Sequence, residues 1–103
     1  MDIQIQESSE SFTAKIIGKL LFDDRAKFND LLAKMVSAEK SSFVIDLDNL
    51  ESIDSAGLGM MMIAHDKITG EGKSFSIVNA KDQVKKVLEI TEFGKIMHIE
   101  FAD

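Results

Sequence analysis

Asp46-Leu47-Asp48-Asn49-Leu50-Glu51-Ser52-Ile53-Asp54-Ser55-Ala56-Gly57-Leu58-Gly59 is the stretch on which the fold turns. It leaves the apolar run Phe43-Val44-Ile45, which lies between Ser41-Ser42 and Asp46 and is short enough to favour a strand over a helix. Unbroken apolarity there predicts a central strand covered on both faces. The residues after that strand read as a polar loop opening a helix that runs from about Ser55 to Thr69 and stops at Gly70. In parallel α/β sheets the carboxyl ends of strands face the crevice where ligands and partners dock, so this loop presents Ser55 outward.

Upstream, Ile3 and Ile5 alternate with polar neighbours, as do Phe12, Ala14 and Ile16, with polar Glu7 to Ser11 between the two sets. That is the period of an antiparallel strand pair. After Gly18, acidic Asp23 and Asp24 precede Phe28, Leu31, Leu32, Met35 and Val36 at helical spacing. Downstream, Phe75 to Val78 reads as a strand, and Val84, Val87 and Leu88 define a third helical stripe ending near Gly94. Ile96 to Phe101 forms a last turn, a helix or an edge strand. The resulting order predicts an α/β fold: a small mixed β-sheet with helices packed on it, strand and helix alternating after an initial β-hairpin.

The 103 residues suit one domain spanning 1–103, with no proline, repeat or low-complexity stretch at which to divide it. Such a domain buries roughly 60 to 70% of the surface of its unfolded chain. The formal charge of −6 repels nucleic acid and anionic lipid, and the twelve basic residues form no cluster, so a protein partner is expected rather than DNA. No apolar run reaches the roughly 20 residues of a membrane span, and Met1 to Gln6 lacks the basic and apolar regions of a signal peptide. Direct membrane insertion is not expected. Cysteine is absent, which excludes disulfides, thiolate metal sites and cysteine nucleophiles and suits a reducing cytoplasm.

Asp54-Ser55-Ala56-Gly57-Leu58-Gly59, preceded by the strand Phe43 to Leu47, resembles the signature of the STAS family, which includes the bacterial anti-sigma factor antagonists. Ile17-Gly18-Lys19-Leu20 resembles that family's strand-ending glycine motif, and Phe75 to Val78 its next strand, so the similarity covers nearly the whole chain. The resemblance implies that a partner serine kinase phosphorylates Ser55 and that a metal-dependent serine phosphatase restores it. It further implies that the unmodified protein binds, that the phosphorylated protein lets go, and that the kinase doubles as an anti-sigma factor with a histidine-kinase-like ATPase fold. Where the family often carries an aspartate shortly after the glycine, this chain has Leu21 and Phe22, then Asp23 and Asp24, which points to an apolar contact from that loop. Another role compatible with the resemblance is a regulatory or structural subunit of a membrane transporter or lipid-transfer complex.

Residue by residue, Ser55 suits modification better than catalysis. There is no G-x-S-x-G elbow around it, and only two histidines could act as base. Phosphorylation adds about −1.5 to −2 charges at one point. At a helix start, backbone N–H groups and the helix dipole partly offset that charge, while Asp54 adds repulsion toward an acidic partner.

Gly57 and Gly59 cost about 1 kcal/mol each inside a helix. They serve either close approach of a partner or tight packing of the helix on its sheet. At 100° per residue, Leu58, Met61, Met62, His65 and Ile68 should face the sheet, leaving Ala56, Met60, Ile63 and Lys67 opposite. Large apolar residues on the outer face form either a docking strip continuous with Ser55 or a face covered by neighbouring helices. Leu21, Phe22, Asp23, Asp54, Ala56, Gly57, Met60 and Ile63 are therefore the expected partner contacts.

Other chemistries find no pattern. Gly57-Leu58-Gly59 lacks the third glycine of a dinucleotide loop, and the Walker sequence is missing, so no nucleotide cofactor is expected. Asp46, Asp48, Glu51 and Asp54 do not match a calcium loop and read as a solvated acidic turn. His65 and His98 have no second ligand at metal-binding spacing, so no metal site is expected. A phospho-receiver domain requires an acidic pair after its first strand, where this chain has Gln4-Ile5-Gln6.

Overall fold

The period-two alternation at the start folds as a hairpin. β1 (Asp2–Glu7) runs antiparallel to β2 (Ser11–Leu20), with Ile3 opposite Ile16 and Ile5 opposite Ala14. The structure is a computed structural model and describes residues 1–102.

On its other edge β2 serves two neighbours in turn. Its first half pairs in parallel with β3 (Ser42–Asp46), from Ser11 opposite Ser42 to Lys15 opposite Asp46. Its second half pairs in parallel with β4 (Leu50–Ile53), from Gly18 opposite Leu50 to Leu20 opposite Ile53. The exchange occurs at Gly18, whose φ of 96° lies in the region that favours glycine, and the register shifts between Gly18 and Lys19. The glycine motif thus redirects the strand to a new partner just before it ends at Leu20.

The stretch expected to be one polar loop is corrected accordingly, since Leu50–Ile53 is a strand. It escapes pattern reading because its buried residues, Leu50 and Ile53, are three apart. The bulge against β2 removes the two-residue period on which strand recognition depends.

β5 (Ser74–Ala80) and β6 (His98–Phe101) complete a mixed sheet in the order β1-β2-β3-β5-β6, with β4 joined to β2. The last segment is therefore an edge strand, parallel to β5. A 3-10 turn, Phe22–Asp24, leads into α1 (Arg25–Ser37); α2 (Ser55–Gly70) comes after β4, and α3 (Asp82–Ile90) after β5. α3 stops short of Gly94, where Glu92 turns the chain with φ 57° and a second 3-10 turn, Phe93–Lys95, begins.

The helices lie on one face of the sheet. Phe12, Ala14, Ile16, Phe43, Ile45, Phe75 and Ile77 are buried there with Phe28, Leu31 and Met35 of α1 and Met61 and Ile68 of α2. The alternate strand residues Thr13, Lys15, Val44, Ser76 and Val78 are only half-buried. This corrects the expectation that Phe43-Val44-Ile45 is covered on both faces: Val44 stands between Thr13 and Ser76 on the open side. A β-branched residue suits that half-exposed pleat without a covering helix.

The exposed edge of β4 is closed by a side chain. Gln83 of α3 accepts from the Ile53 N–H through Oε1 (3.2 Å) and donates from Nε2 to the Ile53 carbonyl (3.4 Å), as a neighbouring strand would. Among the described residues no helix is long and apolar enough to cross a membrane.

Candidate functional site

Ser55 is the first residue of α2 and is exposed. The residue before it organises the site. Asp54 has extended backbone (φ −109°, ψ −176°) and is the helix N-cap, its Oδ1 accepting from the Gly57 N–H at 2.9 Å. Its Oδ2 accepts from the Phe22 N–H at 3.1 Å, thirty-two residues away in sequence. One carboxylate therefore ties the start of α2 to the loop between β2 and α1.

That loop is held at its other side by Asp24, whose Oδ2 accepts from the Leu21 N–H at 2.8 Å while its own N–H donates to the Leu21 carbonyl. Leu21 is half-buried and Asp23 exposed. Phe22 is 57% exposed, with the Arg25 guanidinium 4.4 Å from its ring centre. A flat aromatic and a cation thus stand beside an exposed hydroxyl at one pole of the domain.

Gly57 settles the choice left open for the two glycines. A Cβ there would stand 2.4 Å from the Leu20 carbonyl oxygen and 2.6 Å from Ile53 Cγ1, so Gly57 lets α2 press against β2 and β4. Gly59 has open space around it. Gly57 is buried and supports the site from beneath instead of offering a contact.

Of the expected outer face of α2, Ile63 is 54% exposed and Ala56 half-buried, but Met60 is only 6% exposed and belongs to the core. Its place in a docking strip is overturned. The buried stripe is Gly57, Met60, Met61, Ala64 and Ile68, rotated from the expected one. Small Gly57 and Ala64 lie in that stripe, Gly57 at the close approach to β2 and β4, and α1 packs alongside the helix. Leu58, Met62 and His65, expected inside, are half-buried at the margin.

Each histidine has a partner of its own. His65 lies ten residues along α2, about 15 Å at 1.5 Å per residue, with Nδ1 3.1 Å from Asp66 Oδ1 and its ring edge-on to Phe75. His98 faces Glu100 on β6. The acidic turn is occupied internally: Asp46 Oδ1 accepts from Asp48 N–H and Asn79 Nδ2, and Asp48 pairs with Lys81 at 3.4 Å. Among the described residues no group of three or more His, Cys, Asp or Glu is placed to hold a metal.

Ser55, Asp54, Ala56, Leu21, Phe22 and Asp23 therefore gather at one pole, Ile63 extends the surface along α2, and Met60 and Gly57 point inward. Sequence reasoning misses the structural roles of Asp54 and Asp24. A signal for them exists, because an aspartate just before a helix, or closing a tight turn, is a habitual cap.

The fold and site define a small α/β domain that presents a capped helix start, with an exposed hydroxyl, beside an apolar rim. The chain belongs to the STAS domain family: residues 3–99 match the family model described as "Mlab, STAS domain". It is 30% identical over 90 residues to a STAS-domain containing protein of Pseudomonas aeruginosa, covering 87% of this chain and 88% of that one. To an anti-sigma-B factor antagonist of Staphylococcus aureus it is 21% identical over 99 residues, covering 96% and 92%. The fold matches the unphosphorylated form of the anti-sigma factor antagonist SpoIIAA, a Bacillus protein, with TM-score 0.78, 18% identity and coverage of 99% and 89%. A sulfate transporter family protein from Wolinella succinogenes shares it with TM-score 0.73, 13% identity and coverage of 85% and 74%.

Proposed function

We propose that this protein is a phosphorylation-controlled binding switch acting as an anti-sigma factor antagonist. The observation that carries the reading is the placement of Ser55, exposed at the first position of α2 beside Phe22, with exposed Ile63 about two turns further along the helix. Relatives named as anti-sigma factor antagonists support it, as does the description of SpoIIAA in both unphosphorylated and phosphorylated forms.

In this reading the unmodified protein binds a serine kinase that doubles as an anti-sigma factor and has a histidine-kinase-like ATPase fold. The kinase transfers the γ-phosphoryl group of ATP to Ser55 Oγ, with loss of the hydroxyl proton and release of ADP. The dianionic product leaves the complex, and a metal-dependent phosphatase hydrolyses the ester with water to regenerate serine and inorganic phosphate. The protein itself binds and performs no chemistry, consistent with the separation of about 15 Å along α2 between Ser55 and His65. Its place is the cytoplasm, where such kinases find ATP.

Ser55→Ala should hold a captured partner kinase constitutively and Ser55→Glu should bind it poorly. Equal affinity of the two variants refutes the switch. A second reading, a regulatory subunit of a membrane transporter, draws support from the transporter-family neighbour in fold. It predicts co-purification with membrane components and a complex indifferent to both substitutions.

A further inference from the structure

The two hydrogen bonds of Asp54 couple the modification site to the neighbouring loop. Oδ1 holds the Gly57 N–H and Oδ2 the Phe22 N–H, so the cap of α2 and the position of the Phe22 turn depend on one carboxylate in one rotamer. Asp24 closes the turn on itself through Leu21, but Asp24 does not reach α2; Asp54 does. A backbone link, Asp54 N–H to the Leu20 carbonyl at 3.4 Å, lies before the turn, and Arg25 holds Phe22 only from the start of α1, so the carboxylate is the hydrogen bond that joins Phe22 to α2.

We infer that Asp54 is a positioning residue that transmits the state of Ser55 to Phe22: a phosphoryl group on Ser55 drives the Asp54 carboxylate off the cap and frees the Phe22 N–H, uncoupling the Leu21–Asp24 turn from α2. This rests on the reading of Ser55 as the modified residue. The physical cause is competition at one helix terminus. A phosphate on the first residue brings about −1.5 to −2 charges next to an existing anion, and both seek the same few free N–H groups of the first turn. The phosphate is the stronger acceptor and carries more charge, so it keeps the helix end while the carboxylate turns to solvent. Phe22 then loses its tether to α2, and the partner loses an aromatic contact fixed beside Ser55 as well as meeting new charge. The switch acts at two points of the surface through one side chain.

The test uses amide hydrogen exchange of the full chain by NMR, with phosphoserine installed genetically at position 55. Exchange of the Phe22 amide should accelerate about tenfold or more, the size of the protection a charge-assisted hydrogen bond gives. Amides of Ile45 and Ile77 in the sheet should stay unchanged, which excludes global unfolding. Asp54→Asn provides an independent arm. Its one carbonyl oxygen can still cap Gly57, while its amide group offers no second acceptor, so Phe22 should exchange faster without any phosphate while Gly57 stays protected.

If Phe22 exchange is unchanged in the phosphoserine protein, the coupling is overturned even when Ser55 proves to be phosphorylated in its host. If Asp54→Asn leaves Phe22 as protected as in the unaltered chain, it is overturned as well. If protein isolated from host cells never carries phosphate but the installed phosphate frees Phe22, the coupling stands and the assignment of Ser55 as the modified residue falls.

Discussion

Replacing Gly57 by alanine should destabilise the domain although alanine is the better helix former. The added Cβ would stand 2.4 Å from the Leu20 carbonyl oxygen, 2.6 Å from Ile53 Cγ1 and 3.1 Å from Leu20 Cγ. Carbon atoms rest at about 3.5 to 4.0 Å from their neighbours, so the nearest contact is short by about 1 Å. The obstructing oxygen is backbone of β2, at the point where β2 pairs with β4, and it cannot swing aside as a side-chain end would. Overpacking of this kind costs about 1–3 kcal/mol and more where backbone must move, against a gain of about 1 kcal/mol in helix propensity. A net loss of about 2 kcal/mol lowers the melting temperature by roughly 10 °C in a domain of this size.

Gly59, in the same helix with nothing within 4 Å of its Cβ position, supplies the control. Gly59→Ala should gain about 0.5–1 kcal/mol. Thermal and urea unfolding of both variants, tracked by circular dichroism, measures the pair. A Gly57→Ala protein that melts at or above the unaltered chain refutes the packing argument, since propensity would then outweigh contact.

Three further substitutions probe the same surfaces. Met60→Lys should cost about 3 kcal/mol or more in urea unfolding, because it places an unpaired ammonium in a site that is 6% exposed. Ile63→Lys, at a site 54% exposed, should shift stability by no more than about 0.5 kcal/mol yet weaken capture of the proposed partner kinase, measured by calorimetry. Gln83→Ala should lose about 1–2 kcal/mol and leave the Ile53 edge of β4 unpaired, with concentration-dependent association in sedimentation as the second readout.

Much of this architecture is legible in the chain because its elements obey simple periods. Ile3, Ile5, Phe12, Ala14 and Ile16 alternate as a hairpin must, and Phe28, Leu31, Leu32 and Met35 mark the buried side of α1. Three features are hidden for physical reasons. β4 is four residues long and bulged, so Leu50 and Ile53 show neither period. Val44 carries the side chain of a core strand but faces the open side, since β-branched residues suit either face of a pleat. The stripe of α2 is misplaced by a pattern that weights large residues over small ones, although Gly57 and Ala64 are both buried and Gly57 takes the close approach to β2 and β4.

The site divides the same way. The exposed position of Ser55 is written in the strand-to-helix junction. The bond from Asp54 to Phe22 is a long-range contact that only the pairing of β2 with β4 creates. Leu21 and Phe22 stand out by their unusual place after Gly18, and the structure adds what orients them.

The central claim is that the phosphorylation state of Ser55 decides whether this surface is occupied. The most direct measurement is the affinity, by isothermal titration calorimetry, of the purified partner kinase for the unmodified chain and for the same chain carrying phosphoserine at position 55. Tight binding of the first, weakened by a hundredfold or more in the second, about 2.7 kcal/mol, is the predicted result. Equal affinities for the two would contradict the account.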